Sequence, residues 1–151
     1  MHIIRILGAS GSGKTTFIDG LIPLLSPLRV AVVKHTRQEL DAPSPQKDTG
    51  KHLSAGARVS IGLGKESAEV FWRGFTPTFE QVIRLLDGQV DLVIVEGARD
   101  LDLPTILLGE IPVGAITSVL LLRLPQKPGS EMLEAAAKQI HAMLRPITLP
   151  S

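Results

Sequence analysis

The feature that most limits how this chain folds is a glycine-rich turn between an apolar run and an amphipathic segment. Residues His2–Leu7 read HIIRIL, the turn Gly8–Thr15 reads GASGSGKT, and apolar side chains recur with helical spacing within Lys14–Leu25. This order predicts a strand, a turn and a helix that ends or kinks near Pro23. The turn fills every fixed position of the pattern G-x-x-x-x-G-K-[ST], which requires a strand before it and a helix after it. Both requirements are met.

Such a turn is suited to holding phosphate groups. Its glycines let successive backbone N–H groups point inward, and the helix that follows presents its positive end. We expect Lys14 to reach the β- and γ-phosphates of a nucleoside triphosphate, and the Thr15 hydroxyl to bind Mg²⁺. The residues predicted to bind the nucleotide within this turn are Gly8, Ser10, Gly11, Ser12, Gly13, Lys14, Thr15 and Thr16.

The rest of the chain alternates between strand and helix patterns. Strands are predicted at Arg29–Lys34, at Val90–Val95 and, within Val113–Leu124, at Thr117–Leu122, and helices at Thr78–Leu86 and Ser130–Leu144, with Thr78 and Ser130 as N-caps and Pro146 after the last helix. The first two strands are almost entirely aliphatic, as in parallel strands buried on both faces. The alternation predicts an α/β fold of the P-loop NTPase type: a doubly wound, mostly parallel sheet with helices on both faces.

Two further segments interrupt this alternation. His35–Lys51 is polar, contains two prolines and has no periodicity, so it predicts a surface loop of about fifteen residues. Such a loop is suited to close over a γ-phosphate as a switch. The runs Arg58–Leu63 and Ala68–Arg73 flank a turn at Gly64–Ser67, which predicts a β-hairpin appended to the sheet.

Length and composition exclude several classes of protein. The 151 residues fit one nucleotide-binding domain, residues 1–151. Sixteen basic and fifteen acidic residues leave no basic stripe for nucleic acid, and the absence of cysteine excludes thiolate metal sites. The apolar runs are shorter than the roughly 18 residues that cross a bilayer, and the apolar start lacks the charged leader of a signal peptide. We therefore expect a cytoplasmic protein that binds neither membranes nor nucleic acid.

A second ligand for Mg²⁺ is expected at the carboxyl end of a strand, where ligands of doubly wound sheets lie. Asp91 and Glu96 flank the strand Val90–Val95, and a rise of about 3.3 Å per residue separates them by about 16 Å. Only Glu96 lies at the carboxyl end, so it is predicted to bind the metal or to position water, although a merely solvated carboxylate is the alternative. Glu96 and Lys14 are the candidate catalytic residues.

Three more residues are candidates because they follow the second strand. Lys34 and His35 stand at its carboxyl end and are expected to face the nucleotide. The loop beyond them offers Asp48 as a further metal ligand. For these three residues, the opposite interpretation, solvated side chains without a ligand, is equally open.

The motifs, in this order, resemble those of the molybdopterin-guanine dinucleotide biosynthesis adaptor proteins, the MobB family. The shared segments are Gly8–Thr16, Lys34–Thr36, Lys47–Thr49 with His52 and Ala55–Ala57, and Asp91–Gly97. They span about two-thirds of the chain, and the set is more specific than the phosphate turn alone. The chain departs from the family at Arg37 and Gln38, where further histidines are common, and at Ala98 and Arg99, where an aromatic residue and lysine are common.

The resemblance implies a GTP-binding adaptor with weak GTPase activity that assists the attachment of a guanine nucleotide to molybdopterin. It implies GTP and Mg²⁺ as ligands, a homodimer, and two partners: molybdenum cofactor guanylyltransferase and molybdopterin itself. Any enzymatic activity would be at most a slow, Mg²⁺-dependent GTPase that acts with that nucleotidyltransferase.

The residues give little support to two other functions found among P-loop proteins. A P-loop small-molecule kinase usually adds an arginine-rich lid, whereas Arg37 and Arg99 are isolated here. A metallochaperone-type GTPase needs a soft-metal site, and the chain has no cysteine and no clustered histidines. The motif N-K-x-D, which selects guanine in switch proteins, cannot occur in a chain without asparagine. The base is therefore not readable from motifs.

Overall fold

The structure is a computed structural model that describes residues 1–41, 43–111 and 118–144. Its strands are β1 (His2–Gly8), β2 (Val30–His35), β3 (Val59–Leu63), β4 (Ala68–Trp72), β5 (Leu92–Gly97), β6 (Thr105–Leu108) and β7 (Leu120–Leu124). Its helices are α1 (Lys14–Leu21), α2 (Asp48–Ser54), α3 (Phe79–Leu86) and α4 (Ser130–Leu144). The chain divides into two compact units, Met1–Thr36 with Leu86–Ser151, and Arg37–Leu85.

The first unit is built on a five-stranded parallel sheet in the order β2-β5-β1-β6-β7. Strand β1 lies at the centre, so Ile6 is in register with Glu96 on one side and with Ile106 on the other. Because all five strands are parallel, their carboxyl ends open at one edge of the sheet. The predicted α/β fold of the P-loop NTPase type is confirmed.

The core of this unit lies between the sheet and two helices, α1 and α4. Ile4 and Ile6 of β1 are completely buried there, together with Leu21 of α1 and Ile140 of α4. Burying one such aliphatic side chain contributes about 1.5–3 kcal/mol to folding. The packing therefore fixes α1, and the turn that precedes it, on the sheet.

The observed elements of the first unit follow the predicted order, but several bounds differ: β2 and β5 were predicted at Arg29–Lys34 and Val90–Val95 and are observed at Val30–His35 and Leu92–Gly97. Helix α1 ends at Leu21 and a short 3-10 helix, Ile22–Leu25, follows, which confirms the break predicted near Pro23. The four buried residues of β6 were not predicted, because so short an apolar run between a proline and a glycine has no readable period. The strand predicted at Thr117–Leu122 is observed at Leu120–Leu124. Thr117 and Pro146 lie outside the described residues.

The second unit contains α2, the hairpin of β3 and β4, and most of α3. The predicted hairpin is confirmed, and its two antiparallel strands form a sheet of their own. Thr78 caps α3 as predicted: its hydroxyl accepts from the Gln81 backbone N–H at 3.2 Å, and the Gln81 side chain accepts from the Thr78 N–H at 2.9 Å.

The predicted loop His35–Lys51 was wrong at both ends. His35 still belongs to β2, and helix α2 begins at Asp48. Two helical turns are too short to give a periodic pattern, so the sequence did not reveal them. Asp48 in the first turn and Lys51 in the last complement the helix dipole and form an ion pair at 3.0 Å.

No helix in the described parts of the chain is both long enough and apolar enough to cross a membrane.

At the amino edge of the first unit's sheet, an ion pair joins Arg29, just before β2, to Asp91, just before β5. Asp91, just before β5, accepts hydrogen bonds from the Arg29 backbone N–H at 2.8 Å and from its guanidinium at 2.9 Å. These bonds lower the pKa of Asp91 to about 2 from its ordinary value of 3.8. A carboxylate with a lowered pKa stabilises the folded state above its unfolded pKa and stops doing so as acid protonates it.

We expect Asp91→Asn to lower the melting temperature at neutral pH, with the difference shrinking between about pH 5 and pH 2 as the native carboxylate is protonated. Thermal unfolding followed by circular dichroism across this range measures it. Asp87→Asn, which changes another exposed carboxylate nearby, is the control. A difference between Asp91→Asn and the wild type that stays constant with pH would contradict the ion-pair explanation.

Candidate functional site

The glycine-rich turn follows β1 directly and is shaped by close backbone contacts. A Cβ atom at Gly8 would lie 2.3 Å from Ser12 Oγ and 2.9 Å from the Leu108 carbonyl oxygen, so only glycine fits there. Gly11 and Gly13 have φ angles of 73° and 87°, in the left-handed region that other residues avoid. Glycine is thus required for the course of the backbone at these positions.

The amino end of α1 is open to an anion. No side chain caps the helix at Gly13, and its first turn contains no acidic residue. The Lys14 ammonium group lies over the turn, where it donates to the carbonyl oxygens of Ala9 at 2.8 Å and Gly8 at 3.2 Å. The turn therefore combines a lysine ammonium group with the positive end of a helix. Ser10, Gly11 and Thr16 are exposed around it.

Ser12 provides an independent sign that the turn is built for a ligand. Its side chain is 1% exposed, and its hydroxyl has no hydrogen-bond partner among the described residues. Leaving a buried hydroxyl unpaired costs about 1–3 kcal/mol. An orphaned polar atom inside a glycine-rich turn of this kind fits a site that a phosphate would complete.

The structure brings Thr15 and Glu96 together at the same edge of the sheet. The Thr15 hydroxyl donates to the Glu96 carboxylate, with its oxygen 3.1 and 3.2 Å from the two carboxylate oxygens. Thr15 lies in the first turn of α1, and Glu96 is half-buried near the end of β5. A hydroxyl and a carboxylate are hard oxygen ligands of the kind that Mg²⁺ prefers.

Lys34 and His35 lie at the same carboxyl edge, beside Glu96. In the register of β2 and β5, Lys34 is opposite Glu96 and His35 is opposite Gly97. Gly97 has a φ of 92°, and a Cβ there would lie 2.4 Å from the His35 carbonyl oxygen, so this approach depends on glycine. Lys34 is exposed and His35 is half-buried.

Asp48 begins α2 in the second unit. Its carboxylate accepts a hydrogen bond from Lys51 of the same helix at 3.0 Å, and this bond lowers the pKa of Asp48. Its role as a metal ligand stays a prediction.

Arg5, a buried arginine in the centre of β1, was not predicted from the sequence as part of the site. The residue is 1% exposed, and burial lowers the pKa of its guanidinium while Asp102 and Asp100 oppose that shift. Its guanidinium donates to Thr105 Oγ1 at 2.9 Å, Ser118 Oγ at 2.8 Å, and the carbonyl oxygens of Ala98 at 2.8 Å, Arg99 at 3.4 Å and Leu101. The available signal was an arginine within the aliphatic run HIIRIL.

Arg5 holds the turn that follows Glu96. Ala98, two residues beyond Glu96, is buried and has a φ of 57°, which costs a non-glycine residue about 1–2 kcal/mol. The hydrogen bond from Arg5 to the Ala98 carbonyl oxygen offsets this strain. Arg5 thereby fixes the backbone from which the Glu96 carboxylate reaches Thr15.

A central parallel sheet, with a glycine-rich turn between β1 and α1, defines an α/β protein of the P-loop NTPase type. The model of the family "Molybdopterin guanine dinucleotide synthesis protein B" (MobB) matches residues 3–117 of the chain. The chain belongs to this family.

Individual relatives agree with this assignment. The chain is 33% identical over 110 residues to the molybdopterin-guanine dinucleotide biosynthesis adapter protein of Haemophilus influenzae, covering 70% of this chain and 62% of the relative. It is 31% identical over 107 residues to the protein of that name in Escherichia coli, covering 66% and 60%. The chain thus spans less than two-thirds of the length of these curated relatives.

Solved structures have the same fold. The crystal structure of a molybdopterin-guanine biosynthesis protein B superposes with a TM-score of 0.74 at 25% identity, covering 95% of this chain and 99% of that one. The Bacillus subtilis MobB structure superposes with a TM-score of 0.67 at 16% identity, covering 92% and 98%, and at that identity it supports the fold alone.

We expect Arg5→Met to lower the free energy of unfolding by about 2–4 kcal/mol, because it leaves buried carbonyl and hydroxyl oxygens unpaired. The free energy of unfolding of Arg5→Lys should lie between those of the wild type and of Arg5→Met, since one ammonium group cannot reach all five oxygens. Urea unfolding gives these values. Arg123→Met, at an exposed position of β7, is the matched control and should change stability by less than about 0.5 kcal/mol. Equal effects of the two methionine variants would refute the role given to Arg5.

Proposed function

We propose that this protein binds GTP with Mg²⁺ at the turn Gly8–Thr15. The observation that carries the proposal is the contact between Thr15 and Glu96, at 3.1 and 3.2 Å, next to a glycine-rich turn over which Lys14 lies. Membership of the MobB family and the unpaired Ser12 hydroxyl support it.

The phosphates would be held by the backbone N–H groups of the turn and by Lys14. The Lys14 ammonium group already lies within hydrogen-bond distance of two carbonyl oxygens of the turn. A charge-assisted bond to a phosphate is roughly twice as strong as a neutral one, so a phosphate competes well for this ammonium group. Lys14 would thus supply positive charge to the phosphates without any change in the backbone of the turn.

Thr15 and Glu96 are the residues that would hold Mg²⁺. Among the described residues, no group of three or more His, Cys, Asp or Glu side chains is placed to hold a metal ion. A pair of protein oxygens suits Mg²⁺, which keeps several waters and binds phosphate oxygens rather than an all-protein cage. When bound, the ion neutralises charge on the β- and γ-phosphate oxygens.

We further propose that hydrolysis is slow. Efficient hydrolases of this fold position water with a glutamine and stabilise charge with an arginine. The turn after Glu96 reads Gly97-Ala98-Arg99, without a glutamine, and Arg5 is buried in hydrogen bonds to protein oxygens. The remaining arginine candidates are Arg37, Arg99 or a residue of a partner.

The cellular role that fits is a cytoplasmic adaptor in molybdopterin guanine dinucleotide synthesis, with a molybdenum cofactor guanylyltransferase and molybdopterin as partners. Its support is membership of the family and the names of the relatives, which are adapter proteins in this biosynthesis. A slow hydrolase whose bound nucleotide controls a partner is consistent with this role.

We also propose that the protein is a homodimer, joined through the hairpin. Alternate residues of a strand share a face, and one face of this hairpin is entirely apolar. Its residues are Val59, Ile61, Leu63, Ala68, Val70 and Trp72. Ile61 is 58% exposed and Leu63 is 83% exposed. Monomers rarely expose contiguous apolar faces, and a second copy would cover this one symmetrically.

The binding proposal is tested by calorimetric titration of GTP with and without Mg²⁺. We expect Lys14→Ala to weaken binding about 10- to 100-fold under both conditions, because a charged hydrogen-bond donor is lost. Glu96→Gln should mainly reduce the gain in affinity that Mg²⁺ gives the wild type. Lys138→Ala, which removes an exposed charge from α4, is the control and should bind normally.

Normal affinity in a folded Lys14→Ala variant would refute the nucleotide site. An equal loss with and without Mg²⁺ in Glu96→Gln would refute the metal role of Glu96. For the adaptor role, wild-type protein with GTP should stimulate a guanylyltransferase of the pathway, and Lys14→Ala should not.

The dimer is tested by light scattering during size exclusion. We expect the wild type to have twice the mass of the chain, and Ile61→Glu with Leu63→Glu to have the mass of one chain, because charge on the apolar face opposes its burial. Leu40→Glu is the matched control, since Leu40 is 69% exposed in a loop, and it should remain dimeric. A dimer that survives both hairpin substitutions would contradict this interface.

A further inference from the structure

The buried charge of Arg5 has no acidic side chain paired with it. All five oxygens that accept hydrogen bonds from its guanidinium belong to carbonyl or hydroxyl groups. Among the ion pairs of the described residues, none involves Arg5. A guanidinium stays protonated in proteins, and a buried charge is normally paired with an opposite one. The central strand of the sheet therefore holds a positive charge that hydrogen bonds satisfy but do not neutralise.

Two acidic residues act on this charge, although neither forms an ion pair with it. Burial lowers the pKa of Arg5, and Asp102 and Asp100 raise it with smaller effects. Both carboxylates are exposed, so water and dissolved ions screen their attraction to the guanidinium. An anion bound near Arg5 would therefore still encounter a net positive charge.

The guanidinium lies close to the glycine-rich turn. Arg5 precedes Gly8 by three residues on β1, which corresponds to about 10 Å along the strand. Its side chain is directed toward the carboxyl edge of the sheet, since it donates to the carbonyl oxygens of Ala98 and Leu101, which follow β5. The residues between Arg5 and Gly8 are buried. A charge acts more strongly through such buried protein than through water.

Resting on the nucleotide binding proposed above, we propose that Arg5 supplies part of the positive charge that attracts the phosphates, without touching them. Lys14 acts by direct contact at the turn, whereas Arg5 acts at a distance from within the sheet. Bound phosphates then serve as the counter-charge that the protein itself lacks. Because the Coulomb energy grows with the charge of the ligand, Arg5 favours triphosphates over diphosphates. This role differs from that of an arginine that contacts the γ-phosphate during hydrolysis, since Arg5 keeps its protein contacts.

The experiment measures dissociation constants of GTP and GDP by calorimetry without Mg²⁺, so that the metal does not contribute. Arg5→Gln removes the charge and keeps a side chain that can still form hydrogen bonds. We expect it to weaken GTP binding about three- to tenfold and GDP binding by a smaller factor. Arg123→Gln, which removes an exposed arginine from β7, is the matched control and should change the affinity less than about twofold.

A second variant, Arg5→Lys, separates the charge from the hydrogen bonds of the guanidinium. Burial lowers the pKa of a lysine ammonium group, so this variant loses its charge as the pH rises, whereas arginine does not. The protonation state of the substituted side chain is followed by NMR. While it is protonated, the affinity for GTP should stay within about twofold of the wild type at the same pH. The affinity should fall about three- to tenfold relative to the wild type once the proton is lost.

The outcomes distinguish this inference from the function on which it rests. Circular dichroism first establishes that each variant is folded. Normal GTP affinity in folded Arg5→Gln overturns the inference and leaves nucleotide binding intact. A protonated Arg5→Lys variant that binds as weakly as Arg5→Gln does the same, because it would assign the loss to hydrogen bonds.

If Arg5→Gln does not fold, the pH series of Arg5→Lys decides alone. An affinity that stays equal to that of the wild type after the proton is lost then overturns the inference. A wild type that binds no triphosphate at all overturns both proposals.

Discussion

The arrangement of the carboxyl edge of the sheet depends on the hydrogen bonds of the buried Arg5 guanidinium. An arginine in the central strand is costly to remove from water, and it is retained because five protein oxygens surround it. These oxygens belong to the turn after β5, to Thr105 at the start of β6 and to Ser118 shortly before β7. One side chain therefore links the turn after β5 with β6 and with the segment before β7, close to the candidate site.

At the carboxyl edge of the sheet, each strand contributes different candidate residues. The central strand leads into the glycine-rich turn, β5 brings Glu96 to Thr15, and Lys127 in the loop after β7 donates to the Ser12 carbonyl oxygen. The proposed phosphate and metal sites lie next to each other because parallel strands end at the same edge. In the proposed function, a nucleotide held at this edge would be accessible to a partner protein.

Sequence patterns were sufficient where the determining interactions are local. The turn Gly8–Thr15 and its flanking elements were predicted because glycine spacing and helical periodicity act within about twenty residues. The position of Glu96 followed from strand direction. In contrast, Arg5 contacts residues that are 93 to 113 positions away in the sequence, and nothing in the run HIIRIL indicates which residues these are. The contact of Lys127 with Ser12 was missed for the same reason.

The left-handed conformation of Ala98 has a consequence for how such sequences diverge. A turn held in a strained shape by a side chain more than ninety residues away makes the two positions depend on each other. A lineage that replaces the arginine by an aliphatic residue loses the support of the turn, and it then needs glycine there or a different course of the backbone. Arginine on the first strand and a small residue after the Glu-Gly pair should therefore be inherited, and lost, together.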